Sequence, residues 1–115
     1  AGGPVLVVAW DMPFIEPGLL ALIVSSLIAR TSAVVPEGPR GPEPMCALYT
    51  PACLPTIEAA LAEGDLRLGS LVSRLRGVIR IPVERVAALG DPTRLFFNVN
   101  DQADLELAER MAGTI

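Results

Sequence analysis

The sequence contains no histidine and no lysine, because all nine of its basic residues are arginine. Imidazole catalysis, imidazole metal ligation and a catalytic lysine are therefore excluded within this chain. A metal ion would have to bind carboxylate, amide, backbone oxygen or thiolate, and Mg²⁺ is the natural cation for the oxygen ligands. Aromatic residues are also scarce, with one Trp, one Tyr and three Phe. The core must consist mostly of Leu, Val, Ile and Ala.

Basic patches are missing as well. The formal net charge is −4 over 115 residues, and no run of arginines stands out. A chain of this kind repels polyphosphate backbones at long range, whereas a general nucleic-acid binder carries a basic surface. We therefore expect no nucleic-acid partner.

Cysteines and long apolar runs are few. Cys46 and Cys53 are spaced too widely for the usual redox or zinc pairs, and nothing signals export. They are expected to be reduced, partly buried thiols in a cytoplasmic protein. The apolar run Leu19–Ala29 is shorter than the roughly 20 residues that span a bilayer, so no membrane segment is expected.

Strand-like and helix-like segments alternate along the chain, which predicts a single α/β domain over residues 1–115, with a mostly parallel sheet and helices on both faces. The predicted strands are Val5–Trp10, Ala33–Pro36, Met45–Tyr49, Val78–Val83 and Leu95–Val99. The predicted helices are Pro17–Ala29, Leu54–Ala62, Leu68–Leu75 and Gln102–Met111, the last capped by Asp101. Glu37–Pro44 holds three prolines and two glycines, so it is predicted to be a loop and a candidate substrate lid.

Asp11 is the first candidate site residue. It follows the apolar run Val5–Trp10, which has the pattern of a strand buried on both faces. Open α/β sheets bind ligands at the carboxyl ends of their strands, where an aspartate can hold Mg²⁺ against nucleotide phosphates. The alternative is a helix or turn cap, and the spacing alone does not decide between the two.

Asn98 and Asn100 form the second candidate pair. Alternation along a strand would send both amides to the same side, where they could hydrogen-bond a ligand. On this pattern alone, the favoured interpretation is that both simply terminate the strand and shape its turn. Arg67 could bind a phosphate with its planar guanidinium, although a solvated surface arginine is the favoured interpretation. Arg40 is a weaker candidate of the same kind.

A phosphate-binding turn is not visible in the sequence. Gly2 and Gly3 precede the first predicted strand, so they cannot form a phosphate-cradling turn after it. Either the chain is no nucleotide binder, or its first strand–turn–helix unit is missing.

Four segments together resemble one family. They are LVVAWDMPFIEPGLL, EPMCALY, AEGDLRLGSLVSRL and GDPTRLFFNVNDQADL, and they occur in the right order. The chain resembles the molybdenum cofactor guanylyltransferases, also called molybdopterin-guanine dinucleotide synthases, over nearly its whole length. The most specific parts are Asp11–Phe14 and Phe97–Asn100. The family usually opens with a Gly-rich loop and a lysine that are absent here, and it often has His or Gln where Glu43 stands.

The resemblance implies a Rossmann-like, three-layer nucleotidyltransferase fold, incomplete at the amino terminus. It implies transfer of GMP from GTP to molybdenum-molybdopterin, with release of pyrophosphate and a requirement for Mg²⁺. Asp11 matches the aspartate that binds Mg²⁺ and the GTP phosphates, and Asn98 and Asn100 match paired active-site asparagines. Arg67 matches a basic position near the pterin substrate. Other proteins of molybdenum cofactor biosynthesis, or molybdoenzymes, would be docking partners.

Two alternatives stay open. A cytidylyltransferase or another nucleotidyltransferase of the same superfamily would share the Asp11 motif, and the base-reading residues would lie mostly in the absent part. The chain could also be a non-catalytic truncated module that docks onto a partner, since a missing first unit would leave a sheet edge and apolar surface in need of cover.

Overall fold

The computed structural model describes residues 2–65 and 67–113. The strands are β1 (Val5–Val8), β2 (Ala33–Gly38), β3 (Gly41–Pro42), β4 (Cys46–Tyr49) and β5 (Val78–Ile81). The helices are α1 (Pro17–Ser25), α2 (Leu54–Ala62), α3 (Leu68–Arg74), α4 (Val83–Ala87), α5 (Pro92–Leu95) and α6 (Gln102–Gly113). A 3₁₀ turn over Pro51–Cys53 leads into α2. Strands and helices alternate for most of the chain, which confirms the predicted α/β class.

The sheet is mixed. β4 lies between β1 and β2 and pairs antiparallel with both, while β2 pairs in parallel with β5 and antiparallel with β3. β1, β2 and β5 therefore point in the same direction, and β3 and β4 oppose them. Consecutive side chains of a strand point to opposite faces, so each central strand supplies two cores.

Two hydrophobic clusters cover the two faces of the sheet. Val34 and Leu48 belong to one cluster, together with residues of α1, α4 and α5. Ala33, Val35 and Tyr49 belong to the other, with residues of the α2–α3 side. The expected three-layer arrangement, with helices on both faces of a sheet, is therefore present.

Several predicted boundaries were wrong. Glu37–Pro44 is not an irregular loop, because Glu37 and Gly38 of β2 pair with Gly41 and Pro42 of β3 in a short hairpin. The predicted strand Val78–Val83 ends at Ile81, since Pro82 lacks a backbone donor and instead precedes the unpredicted helix α4.

The predicted strand Leu95–Val99 was also wrong. Leu95 ends α5, whose Asp91 cap accepts a hydrogen bond from the Thr93 N–H, and residues 96–100 have no strand pairing. The buried residues of the apolar run Leu95–Val99 are Leu95 and Phe96, which connect α5 to the hydrophobic core. An apolar run of this length does not distinguish a strand from a short buried helix.

β1 is less enclosed than predicted. Val5 and Val8 are exposed, and in the described chain β1 hydrogen-bonds along one edge only, to β4. Trp10, just after β1, is 97% exposed. The prediction of a strand buried on both faces is therefore wrong for this chain. No helix within residues 2–65 and 67–113 is long and apolar enough to cross a membrane.

Candidate functional site

Asp11 lies in a tight turn at the carboxyl end of β1. The Ala9 N–H donates to the Met45 carbonyl at 2.8 Å, and the Met12 N–H donates back to the Ala9 carbonyl at 3.3 Å. The buried Met12 side chain anchors the turn in the core. The Asp11 carboxylate is partly exposed and makes no hydrogen bond or ion pair with any described residue. It is therefore available to a ligand and does not cap a helix.

The segment that contains Asn98 and Asn100 lies directly beside Asp11. The Val99 N–H donates a hydrogen bond to the Asp11 carbonyl oxygen at 2.9 Å. This bond joins two segments that are far apart in sequence and fixes the residue between the two asparagines. The backbone of Asp11 and the segment that carries Asn98 and Asn100 are thus brought together, although no strand forms at residues 95–99.

An aromatic and cationic cluster holds the same two segments. The Phe14 and Phe97 ring centroids are 6.4 Å apart, and the Arg94 guanidinium carbon lies 4.2 Å from the Phe14 ring centroid. Arg94 Nη1 also donates to the Met111 carbonyl of α6 at 3.0 Å. Cation–π and charged hydrogen bonds of this kind fix relative positions as well as adding stability. Sequence reasoning missed Arg94, because nothing in its spacing points to Phe14.

The cap of α6 orders the last part of the segment. The Asp104 N–H donates to Asp101 Oδ1 at 2.8 Å, which confirms the predicted cap, and Asp104 Oδ2 accepts from the Asn100 N–H at 3.1 Å. The Asp101 and Asp104 carboxylates therefore each satisfy one backbone donor beside the start of α6. Asn100 is held in position at the edge of α6.

A cavity of about 300 Å³ opens beside Asn98 and Asn100, and Asp11 is not among its lining residues. Its walls include Asn98 and Asn100 from the segment after α5, Thr93 and Phe96, and Arg40 and Glu43 from the hairpin region. This volume is at the lower end of the range for small-molecule sites, about 300–1,000 Å³. Arg40, ranked below Arg67 on sequence grounds, therefore shares a cavity with the paired asparagines.

Glu43 is the residue of this cavity that sequence reasoning underestimated. Its side chain is half-buried, and burial raises its pKa above the usual range, while the Arg40 charge opposes the shift. Its backbone is fixed on both sides, since the Glu43 N–H donates to the Pro36 carbonyl and the Cys46 N–H donates to the Glu43 carbonyl. The departure from the family pattern at this position was the only available signal in the sequence.

Gly38 makes room for Glu43 against Phe96. A Cβ atom at Gly38 would lie 2.7 Å from Phe96 Cδ2 and 2.9 Å from Glu43 Oε1. Both distances are shorter than real Cβ contacts, so the absence of a side chain here is a packing requirement. The Glu43 carboxylate consequently lies over backbone, next to an aromatic ring.

Arg67 lies elsewhere on the surface. Its side chain is 83% exposed, with Nε 3.3 Å from Asp65 Oδ1. Hydrogen bonds from the Ser70 hydroxyl and the Arg67 backbone lower the pKa of Asp65. Arg67 lines a shallow depression with Glu63, Gly64 and Asp65 and does not line the cavity that holds Asn98. An exposed ion pair of this kind adds little stability.

Both cysteines are free and buried, as expected. Burial, with a smaller contribution from Glu43, raises the pKa of Cys46 to about 12, and burial also raises the pKa of Cys53. Neither thiol has the lowered pKa that marks a reactive cysteine.

The residues around Asp11 fit a magnesium ion of the kind that nucleotide phosphates carry. Within the described ranges no group of three or more acidic or cysteine side chains could hold a metal by itself. Mg²⁺ commonly uses only one or two protein carboxylates, with substrate phosphates and water as its other ligands. A single unpaired, partly exposed carboxylate is compatible with that pattern.

Comparison with known proteins identifies the family. Residues 1–80 match the family model described as the MobA-like NTP transferase domain. The chain is 34% identical over 101 residues to a protein named molybdenum cofactor guanylyltransferase from Desulfosudis oleivorans, covering 88% of this chain and 50% of that protein. It is 35% identical over 107 residues to a probable molybdenum cofactor guanylyltransferase from Pelotomaculum thermopropionicum, covering 93% of this chain and 51% of the relative.

Solved structures agree with the sequence relatives. The chain superposes on the molybdopterin-guanine dinucleotide biosynthesis protein A from Archaeoglobus fulgidus with a TM-score of 0.83 and 30% identity. That match covers 98% of this chain and 57% of the other. The chain spans about half the length of the curated relatives it matches. The family match over more than half of the chain, together with these relatives, shows that it belongs to the MobA-like NTP transferase domain family.

Proposed function

We propose that the protein transfers GMP from GTP to molybdenum-molybdopterin, giving the guanine dinucleotide form of the molybdenum cofactor. In this reaction a phosphate oxygen of the pterin bonds to the α-phosphorus of GTP, and the bond from that phosphorus to the pyrophosphate leaving group breaks. The proposal extends to this chain the activity that its relatives are named for. The cytoplasm, where thiols stay reduced, is the compartment that suits two free cysteines.

One observation supports the proposal more than any other. The 2.9 Å hydrogen bond from the Val99 N–H to the Asp11 carbonyl joins the two motifs that carry the family resemblance. Asp11 brings an unpaired carboxylate, and Asn98 brings an amide to the wall of the neighbouring cavity. A structural role for Asp11 as a cap would require a backbone N–H partner, and none is found for it in the described part of the chain.

The proposal gives each polar group a role. Asp11 would bind Mg²⁺, which when bound neutralises phosphate charge as the leaving group departs. Asn98 and Asn100 would hydrogen-bond the reacting partners and orient them. Arg40, at the cavity wall, would contact the bound substrate. Arg67 remains a candidate for the pterin side, and its exposure leaves its guanidinium free to contact a docked substrate or partner protein.

A transfer assay on the full gene product that carries this chain tests the proposal. Radiolabelled GTP and molybdenum-molybdopterin should give a labelled dinucleotide and pyrophosphate, and CTP should serve poorly. Asp11→Asn keeps the shape of the side chain and removes its charge, so turnover should fall by about 100-fold or more. Glu58→Gln, on the exposed face of α2, is the matched control and should leave the rate unchanged.

The alternatives predict different outcomes of the same assay. Faster turnover with CTP would assign the protein to cytidylyl transfer. No transfer with either nucleotide, in a folded protein, would support a non-catalytic module. The observation that favours the module is the one-sided pairing of β1 together with the exposed Trp10.

A further inference from the structure

We propose that Glu43 is a specificity residue, whose carboxylate accepts two N–H groups from the 2-amino-4-oxopyrimidine edge that guanine and pterin share. The inference rests on the proposed function for the identity of the two heterocycles. It goes further because it assigns the recognition of the 2-amino-4-oxopyrimidine edge to the Glu43 side chain. Neither the family match nor the names of the relatives assign a role to this position.

The surroundings of Glu43 leave its carboxylate oriented but unpaired. The residue is fixed by backbone hydrogen bonds at its N–H and its carbonyl, and the prolines on either side stiffen the segment. Within the described residues the carboxylate has no hydrogen bond and no ion pair within 4 Å, and Arg40 acts on it only at longer range. A half-buried carboxylate without a partner is costly, so a ligand that donates hydrogen bonds would gain from pairing with it.

The charge of the cavity selects the kind of ligand. Glu43 and Asp104 both line it, with Arg40 as its one cationic wall residue among those described. A phosphate would be repelled by the two carboxylates, whereas a neutral heterocycle with adjacent N–H donors would match a carboxylate in a two-point contact. The 2-amino-4-oxopyrimidine edge has that pattern of donors.

Aromatic side chains form part of the cavity wall. Phe96 is 6% exposed and packs beside Glu43 over Gly38, so the carboxylate is flanked by an aromatic ring and bare backbone. Phe97, which is only partly buried, and Asn98 continue the same wall. Phe97 can offer a stacking surface to a planar heterocycle, and the Asn98 amide can donate to the 4-oxo group.

Ligand pairs that differ only at the 2-position test the proposal on the full gene product. Pterin is compared with lumazine, in which an oxo group replaces the 2-amino group, and guanosine is compared with inosine, which lacks that group. Binding is followed by pterin fluorescence and by calorimetry at neutral pH, where the heterocycles keep the ring N–H that the carboxylate would accept. A carboxylate that loses a hydrogen-bonding partner should discriminate by about 10–100-fold in affinity.

Glu43→Gln should bring the two members of the preferred pair within about 3-fold of each other, because the amide offers one N–H where an acceptor is needed. Glu37→Gln is the matched control, since Glu37 belongs to the same hairpin but lies 3.9 Å from Arg80 Nη1 and does not line the cavity. Discrimination of pterin from lumazine supports the pterin as the occupant. Discrimination only of guanosine from inosine supports the nucleotide as the occupant. Discrimination within both pairs supports recognition of the edge that guanine and pterin share.

Three results would overturn the proposal: no binding of any of the four compounds, no preference for the 2-amino group, or a preference that survives Glu43→Gln. The GMP-transfer assay on the same variants separates this failure from that of the proposed function. Transfer without any 2-amino preference would remove only the role of Glu43. A 2-amino preference without transfer would keep that role and remove the proposed reaction.

Discussion

Replacing Gly38 with alanine tests whether the wall of the cavity is as tightly packed as the distances indicate. The new Cβ would lie 2.7 Å from Phe96 Cδ2 and 2.9 Å from Glu43 Oε1. The Glu43 carboxylate can swing away, but the Phe96 ring is buried in the core and must move the groups behind it. Overpacking of this kind costs about 1–3 kcal/mol, and the reduced freedom of the unfolded chain returns about 0.4–1 kcal/mol. The expected net loss of unfolding free energy is about 1–2 kcal/mol.

Gly18→Ala is the matched control, because the same methyl group meets no atom closer than ordinary van der Waals contact. Gly18 lies in the first turn of α1, and its Cβ would make an ordinary 3.9 Å contact with Leu89 Cδ2. Alanine is favoured over glycine in helices, so this variant should be neutral or more stable by up to about 1 kcal/mol. Urea denaturation measures both, with the midpoint shifting at constant m-value. A Gly38→Ala variant as stable as Gly18→Ala would refute the packing described around Phe96 and Glu43.

Three further predictions concern the cluster, the cavity and the cysteines. Arg94→Ala should lower the unfolding free energy by about 1–3 kcal/mol, because it removes the contact with Phe14 and the hydrogen bond to the Met111 carbonyl. Arg76→Ala, at an exposed site, is the control and should change the unfolding free energy by less than about 0.5 kcal/mol. Equal effects of the two substitutions in denaturant titrations would argue against the cluster. The raised pKa of Glu43 means that its contribution to stability is present below its unfolded pKa and is lost as pH rises through its folded pKa. Glu43→Gln should therefore raise the melting temperature relative to the parent at pH 7 and not at pH 3.5, and a benefit that is the same at both pH values would contradict this. The Cys46 thiol has a pKa of about 12, so in a Cys53→Ser variant it should react with a thiol reagent at pH 8 on the order of 10³-fold more slowly than a free cysteine. After unfolding it should react at the rate of a free cysteine. Rapid labelling of the native protein would show that the thiol is not buried.

Local sequence signals predicted the elements that are determined locally. The apolar spacing, together with Gly64 as a helix-terminating residue, predicted α2 with the observed bounds. The Asp101 cap predicted the start of α6. Alternation of strands and helices was enough for the α/β class. These features depend on neighbours within one or two turns of chain, which a sequence displays directly.

The features that depend on distant partners could not be read in the same way. Residues 95–99 are apolar enough for a strand, but no neighbouring strand pairs with them, and Leu95 and Phe96 enter the core from α5. The exposure of Val5 and Trp10 depends on what lies beside β1. Pairing of Glu37 with Pro42 likewise decides that the proline-rich segment is a hairpin.

The candidate site likewise contains residues that the sequence identified and residues that only the fold revealed. Asp11, Asn98 and Asn100 were identified from motif and strand-end position, and their shared role in one site stays a prediction, although the Val99 N–H donates to the Asp11 carbonyl. The contacts of Arg94 with Phe14 and of Glu43 with the space over Gly38 required the fold, because each joins segments that no periodicity relates. Arg67 illustrates the converse, since a motif match does not say which surface depression a side chain will line.

Calorimetric titration of the full gene product with GTP shows whether Asp11 holds Mg²⁺ and a guanine nucleotide beside the 98–100 segment. We expect binding that requires Mg²⁺, is lost in Asp11→Asn and is retained in Glu58→Gln. Binding should also change the fluorescence of Trp10, the single tryptophan, which is adjacent to Asp11 and 97% exposed. GTP binding that is unaffected by removal of Mg²⁺ or by Asp11→Asn, or the absence of binding in a folded protein, would rule out this role of Asp11.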